Sequence, residues 1–384
     1  MEVYLDHAAT TWVYEEVAET VKEIMCKEFG NPSSMHMKGV EAERMVKESA
    51  KKIAGILKVQ EKEIYFTSGG TESNNWALIG CAQANKKRGK RIITSKIEHA
   101  SVSSPMKFLE DQGFEIIRIG CDKNGIIDTN ALREAINEET ILVSVMMVNN
   151  EVGSVQPIEE ISKIIKNANK NTVFHVDAIQ AFGKFKIFPK KLGIDMLSVS
   201  GHKIHAPKGT GFLYISDKTR ILPLIYGGGQ QNGMRSGTDN VPGIVGLAQA
   251  AEIMYNNFSD NTEHMKNLRE RLITGLKGLD EVQINGPLEK NAAPHIVNAS
   301  FLGIRSEVLL HVLEDKEIYV SAGSACSSHK RAPSAVLSAI GCEKAALESA
   351  LRFSLCERSK EEEIDRVIEV LQENLPALRR YTRH

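Results

Sequence analysis

No excess of either charge marks this chain. Its 48 lysines and arginines stand against 49 aspartates and glutamates, a formal net charge of -1 at pH 7. A field of one sign that would draw it to nucleic acid or to a membrane surface is therefore excluded. No apolar run approaches the ~20 residues of a membrane span. The opening MEVYLDHAATT has neither the basic start nor the apolar stretch of a secretory signal. The expected location is the cytoplasm, and the expected partners are small molecules or other proteins. The cysteines, at 26, 81, 121, 326, 342 and 356, are never closer than 14 positions apart, which excludes a C-x-x-C zinc or redox pair. In a reducing compartment they are free thiols, most of them buried. There is no internal repeat, no low-complexity linker and no G-x-x-x-x-G-K-[ST] loop. GGGQQNG at 227–233 lacks the strand-turn-helix setting of a dinucleotide fingerprint, so nucleotide binding is disfavoured.

What is present is an ordinary globular composition, 42% hydrophobic and 25% charged over 384 residues, long enough for two or three domains with sizeable cores. From about residue 63 to 215, seven short β-branched runs (EIYFTS, RIITS, FEIIRI, TILVSVMMV, TVFHVDA, IDMLSVS, GFLYIS) alternate mostly with segments of helical spacing. Such alternation predicts an α/β domain with a mostly parallel seven-stranded sheet flanked by helices. Apolar residues three and four apart place helices at Trp76, Leu78, Ile79, Cys81 and Ala82 and at Ile158, Ile161, Ile164 and Ile165. A helical stretch from Pro242 to about Leu279, interrupted between Asn256 and Thr262, leads into VNASF, SEVLLHVLEDK, IYVSAG, PSAVLSAIG, LRFSL and a terminal helix. These read as a smaller α+β domain onto which the amino terminus packs back. The expected division is 14–258 for the large domain, with 1–13 and 259–384 forming the small one. KKRGKR at 86–91 is expected to be a solvated turn.

Ligands of open α/β sheets bind beyond the carboxyl ends of the strands, so the residues that follow each run matter most. EIYFTS is followed by Gly69, Gly70 and Thr71, RIITS by Glu98 and His99, and TILVSVMMV by Asn149, Asn150 and Glu151. TVFHV is followed by Asp177 and Gln180, and MLSV by Ser200, His202 and Lys203. SGGTESNN offers backbone N–H groups at a helix start, an anion site or simply a turn-rich loop. Asp177 is a helix cap, a structural ion pair, or a buried carboxylate awaiting a cation. Lys203 is a solvated cation or an amine made nucleophilic by burial. His202 and His205 lack a third ligand at metal spacing, so no resident metal is expected. Phosphate cradle, carboxylate, imidazole and amine together fit a pyridoxal phosphate site.

TSGGTESNN, SKIEHASV, VNNEVGSVQP, HVDAIQAFGK, SVSGHKIHAPKG, MRSGTDN and SAGSACSSH resemble, in order and spacing, the cysteine desulfurases of the NifS/IscS type. These belong to the class V aminotransferases, which are fold type I pyridoxal phosphate enzymes. The resemblance extends from LDHAATT to the RFSL segment, nearly the whole chain. It implies that Lys203 holds pyridoxal 5'-phosphate covalently. It implies too that Gly70, Thr71, Ser200 and His202 cradle the phosphate, with Thr238 reaching in from the second subunit of a homodimer. Asp177 would pair with the ring nitrogen, Gln180 with the ring oxygen, and His99 would stack on the ring. Asn150, which also belongs to the cofactor site, and Arg352 would hold the substrate carboxylate, a role that suits a guanidinium fork.

Cys326, in SAGSACSSH, would be the nucleophile, with His99 or His329 to take its proton. Its surroundings resemble the longer cysteine loop of this group and not the short RxGHHCA form. The implied reaction converts L-cysteine to L-alanine and leaves sulfur on Cys326 as a persulfide. That sulfur would supply iron–sulfur cluster assembly and other sulfur-containing products through an acceptor such as a scaffold protein. Cys326 would serve besides as a transient iron–sulfur ligand. The chain ends at LRRYTRH soon after its terminal helix, so the extension with which housekeeping members dock their scaffold is expected to be short, leaving the acceptor open. The rival readings are a selenocysteine lyase or another class V enzyme, and a scaffold that has lost catalysis.

Overall fold

The computed structural model describes residues 1–322 and 333–381. Its amino terminus forms a two-residue strand, β1 (Val3–Tyr4). The seven β-branched runs follow as β2 (Ile64–Thr67), β3 (Arg91–Ser95), β4 (Glu115–Ile119), β5 (Thr140–Met146), β6 (Val173–Asp177), β7 (Met196–Ser200) and β8 (Gly211–Ile215). They make one sheet in the order β2-β8-β7-β6-β5-β3-β4. β8 runs antiparallel to both of its neighbours, and the other pairs are parallel.

Every residue of β5, β6, β7 and β8 is buried, as strands covered on both faces must be. Alternation in β8 shows how: Phe212 and Tyr214 enter a core shared with Ile53, Ile161 and Leu247, whereas Leu213 and Ile215 join Trp76, Val102 and Met106. Helices Met37–Leu57, Ile158–Ala168 and Val241–Asn256 therefore cover one face, and Gly70–Asn75 and Ala100–Asp111 with their extensions cover the other. The helix expected around Trp76 continues from Gly70–Asn75 through a π-helical stretch, Trp76–Gly80, into Cys81–Asn85. KKRGKR is only partly a solvated turn. Arg91 opens β3 and its guanidinium grips Glu115 at 2.8 and 2.9 Å, while Arg88 donates to Asn85 and to the Asn171 carbonyl.

The rest of the chain builds a second core. β9 (Val282–Asn285), β10 (Ile296–Phe301) and β12 (Ala350–Ser354) form an antiparallel sheet in the order β12-β10-β9. Helices Phe258–Lys277 and Glu361–Tyr381 pack against it through Leu268, Leu272, Ile364 and Leu371. β1 pairs in parallel with β11 (Ile318–Tyr319), and Val3 and Leu5 are fully buried in this core. The long interruption expected between Asn256 and Thr262 is a single residue, Asn257. β9 lies in a stretch with too few apolar residues to register as a strand, because only Asn285 of its four positions is buried. The fold thus brings β12 and the amino-terminal segment to the carboxyl end of the large sheet. Ala8 N donates to Ser354 Oγ at 2.8 Å, and Thr11 N to the His202 carbonyl at 2.9 Å.

Candidate active site

A cavity of about 180 Å3 opens at the carboxyl ends of the strands. At the end of β2 the chain turns at Gly69, whose φ of 149° suits glycine, and helix Gly70–Asn75 begins. A Cβ on Gly70 would lie 2.2 Å from Ile179 Cδ1 and 3.3 Å from Ser200 Cβ, so a larger residue here would have to push the Ile179 side chain aside. The first N–H groups of a helix have no partner within it, and the first two residues of this one, Gly70 and Thr71, line the cavity together with Ser200. Glu72 fixes this corner by accepting from Ser68 N at 2.8 Å and from Arg235 at 2.9 and 3.1 Å.

Lys203 ends a turn, Gly201–Lys203, that follows β7. Its Nζ donates to the carbonyls of Ala8 at 2.7 Å and Ala9 at 2.6 Å. Gln180 Nε2 donates to the same Ala8 oxygen at 2.9 Å. His202 meets Thr10 Oγ1 through Nδ1 at 3.2 Å. Burial, aided by the charge of Lys203, pushes its pKa down to about 4, so it is neutral at pH 7.

Asp177, the last residue of β6, is 4% exposed. Burial raises its pKa, opposed by hydrogen bonds from Ile179 N at 3.0 Å and Asn74 Nδ2 at 2.8 Å. Asn74 also donates to Ser101 Oγ at 2.8 Å, and that hydroxyl meets His99 Nδ1 at 2.8 Å. His99 caps helix Ala100–Asp111, its Nδ1 accepting from Ser101 N at 3.1 Å. Nδ1 is thus the acceptor, and the ring proton belongs on Nε2. Burial lowers the His99 pKa against the pull of Asp177. Nearby Glu98, which accepts from Ser95 Oγ and Met146 N, is pushed up to about 8 by burial.

Arg352 enters from β12 and is 1% exposed. Nη2 donates to Asp6 at 2.7 Å and Nη1 to the Asn150 carbonyl at 2.9 Å. Among the described residues, Nε is buried with no acceptor, a donor held in reserve. The preceding Asn149 is spent on its own turn, accepting from Glu151 N and Val152 N, which leaves Asn150 to the cavity.

The cavity wall therefore contains Gly70, Thr71, His99, Asn150 and Asp177 together with Gln180, Ser200, His202, Lys203 and Arg352. Thr238 is exposed and does not line it. Cys326 and His329 lie outside the described residues. His202 and His205 do not converge, because His205 turns away and its Nδ1 donates to the Trp12 carbonyl at 2.9 Å. Sequence reasoning missed Asp6, Asn74 and Ser101. Asn74 and Ser101 stand one helical turn inside motifs that do carry a signal, TSGGTESNN and SKIEHASV. Asp6 reaches the site only through the long-range docking of the amino terminus on β12.

The model of the Aminotransferase class-V family matches residues 3–367. A cysteine desulfurase IscS of Methanosarcina thermophila is 45% identical over 377 residues, 98% of this chain and 93% of that protein. One from Clostridium botulinum is 43% identical over 372 residues, 96% of this chain and 93% of its own length. Among solved structures, a NifS-like protein superposes with a TM-score of 0.93 at 41% identity, covering 98% of this chain and all of that one, 100%. SspA in complex with cysteine superposes at 0.82 with 35% identity, over 93% of this chain and 100% of that one.

Proposed function

We infer from this site that the chain, which belongs to the class V aminotransferase family and is a cysteine desulfurase, works with pyridoxal 5'-phosphate held by Lys203. The observation that carries the assignment is convergence: a buried carboxylate, an imidazole, a lysine amine, a helix start and an arginine with a spare N–H line one cavity. The residues present fit the cofactor. Gly70 leaves the helix start open to a phosphate, with Thr71, Ser200 and His202 around it. Asp177, otherwise a costly buried acid, would pair with the ring nitrogen, Gln180 with the ring oxygen, and His99 would lie against the ring face. When bound, pyridoxal phosphate supplies an electron sink for the charge that develops at the substrate Cα.

The side chains of the protein do the rest. Arg352, fixed by Asp6 and the Asn150 carbonyl, offers its unpartnered Nε to the carboxylate of L-cysteine, and Asn150 closes on the same group. The Lys203 amine takes the Cα proton and later returns a proton to the product. The Cys326 thiolate attacks the substrate sulfur: an S–S bond forms, the C–S bond breaks with its electron pair going to carbon, and alanine leaves after protonation. The balance is one cysteine and one enzyme thiol giving one alanine and one enzyme persulfide. Release of alanine from L-cysteine in one-to-one ratio with sulfur on the protein tests this. Alanine without protein-bound sulfur would refute it.

The functional unit is a homodimer on this reading. Thr238 would complete the neighbour's phosphate site, and its exposure, with Tyr226 at 74% and Leu222 at 44% exposed in the same stretch of chain, supports a covered face there. We propose a large domain, 14–258, and a small one formed by 1–13 and 259–384, a division supported by the core that Val3, Leu5, Leu268, Ile364 and Leu371 build from those segments alone, while Ala8, Ala293 and Ile296 pack into the large core. An acceptor protein, such as an iron–sulfur scaffold, would take the sulfur from Cys326, and the cytoplasm is the setting. No helix among the described residues is long and apolar enough to cross a membrane.

A further inference from the structure

HVDAIQAFGK ends in a second lysine that none of the chemistry above uses. Lys184 is 5% exposed, and its Nζ donates to the carbonyl oxygen of Lys203 at 2.7 Å. Its own turn is stiff. Lys184 N donates to the Ala181 carbonyl at 3.0 Å, and Gly183 N to Tyr255 Oη at 3.1 Å. Burying an ammonium merely to satisfy one backbone carbonyl is costly when a water or a neutral donor would serve. The charge itself therefore calls for a reason.

The Lys203 turn needs holding. Two residues on, His205 has φ of 61°, in the left-handed region that non-glycine residues seldom adopt. Its N–H and carbonyl are tied to Thr11 Oγ1 at 2.8 Å and Tyr14 N at 3.1 Å. Its ring stacks on Tyr14 at 4.4 Å. Glu357, just beyond the β12 strand that carries Arg352, accepts from Tyr14 Oη and stands 3.4 Å from His205 Nε2. Lys184 thus fixes the Lys203 backbone from below while Glu357 braces the same turn from the side.

Electrostatics gives these residues opposite signs. Burial lowers the Lys184 pKa to about 8, opposed first by the Glu357 carboxylate and then by Cys356. His7 and His295, which also face Lys184, are held neutral by burial, and the Cys356 thiol is pushed up to about 12. Below pH 8 a positive Lys184 and a negative Glu357 therefore flank the Lys203 turn. From the cavity side, Lys203 is faced by Asp177, His99 and His202.

We propose that Lys184 is a positioning residue for Lys203, fixing its carbonyl and, through a charge offset by Glu357, setting how readily the Lys203 nitrogen holds a proton. The inference rests on the reading of Lys203 as the cofactor's amine. In the cofactor-loaded enzyme, the pH at which the visible band of the bound cofactor changes reports protonation at that nitrogen. Lys184→Met removes a nearby positive charge and should raise this midpoint by on the order of one pH unit. Lys184→Arg should return it toward the parent value. Glu357→Gln, removing a negative charge, should lower it. A merely structural role would alter stability in both variants but would not shift the midpoint in opposite directions. An unchanged midpoint in a cofactor-loaded Lys184→Met protein would overturn the proposal. Should that variant fail to hold cofactor, Glu357→Gln decides alone, and an unchanged or raised midpoint overturns it. A Lys203→Ala protein that keeps the parent's visible band would instead refute the reading beneath.

Discussion

Two lysines on neighbouring turns at one sheet edge end in opposite ways. Lys203 points its amine along the cavity wall, held by the carbonyls of Ala8 and Ala9. Lys184 points its amine at the backbone of Lys203 and stays sealed from the cavity. The residues around them differ in the same way. Among the described residues, Arg352 Nε and Asn74 Oδ1 near the cavity have hydrogen-bonding capacity unused. Beneath it, Tyr14, His205 and Glu357 contact one another, yet Glu357 Oε2 and both ring nitrogens of His295 also lack hydrogen-bond partners there. Unmet buried polar atoms thus occur in both regions, and each costs free energy until something meets it. What sets the site apart from this frame is the open cavity beside Arg352, where a ligand can do so.

The contrast breaks first if Lys203 can be lost cheaply. Lys203→Ala should abolish the visible band and lower alanine formation by at least on the order of 10^3-fold, since both the cofactor's anchor and a proton-transfer group disappear. Lys184→Met should keep the band and most of the turnover. Equal losses in the two variants would erase the distinction between site and frame. Next in size is Cys326→Ala, which should still load cofactor and bind cysteine yet form no persulfide, with alanine release down by on the order of 10^3-fold. Alanine at the parent rate would move the sulfur-transfer step to another thiol.

Arg352 sharpens the comparison at its rim, because it is both a wall of the cavity and a member of an ion pair with Asp6. Arg352→Gln removes a charge-assisted contact to the substrate carboxylate and should raise KM on the order of 10- to 100-fold. Asp6→Asn leaves the fork and one hydrogen bond in place, and should change KM by less than about tenfold. Steady-state kinetics with L-cysteine reads both. A larger effect from Asp6→Asn would place Asp6, and not Arg352, against the substrate.

Much of this was legible in the sequence because parallel strands write themselves as apolar runs and the residues that matter follow them directly. Asp177, Ser200 and Lys203 are each within a few positions of a strand end. What sequence periodicity did not reach depends on contacts between distant segments. Asp6 meets Arg352 across 346 positions, and Tyr14 meets Glu357 across 343. No local pattern encodes such pairs. GGGQQNG looked as glycine-rich as TSGGTESNN, yet it forms an exposed loop around Gln231–Gly233 and contributes nothing to the cavity wall. Position after a strand, and not composition, separated them.

The smallest effect lies in acid stability, and it too divides site from frame. Burial works to raise the Glu357 pKa, but hydrogen bonds with His205 and Tyr14 outweigh it and hold the carboxyl at about 2, below its ordinary 4.5. A carboxylate whose folded pKa is depressed contributes stability that is fully present above its unfolded pKa and is lost as pH falls through the folded one. Glu357 should therefore stabilise the protein fully above about 4.5 and lose that contribution between 4.5 and 2. The size is on the order of 3 kcal/mol. Glu98, beside the cavity, has the opposite sign. Burial lifts it from 4.5 to about 8, so its contribution grows as pH falls from 8 toward 4.5. The buried histidines His7, His175 and His202, held at about 3 to 4, subtract stability as pH falls below 6.5, so the two carboxyls are read from the difference in denaturant midpoint between variant and parent. Glu357→Gln should reduce the loss between pH 4.5 and 2, and Glu98→Gln should remove a gain between pH 8 and 4.5 and so steepen the decline there. A Glu357→Gln protein whose stability below pH 4.5 declines as steeply as the parent's would show that the frame is not held together by this carboxylate.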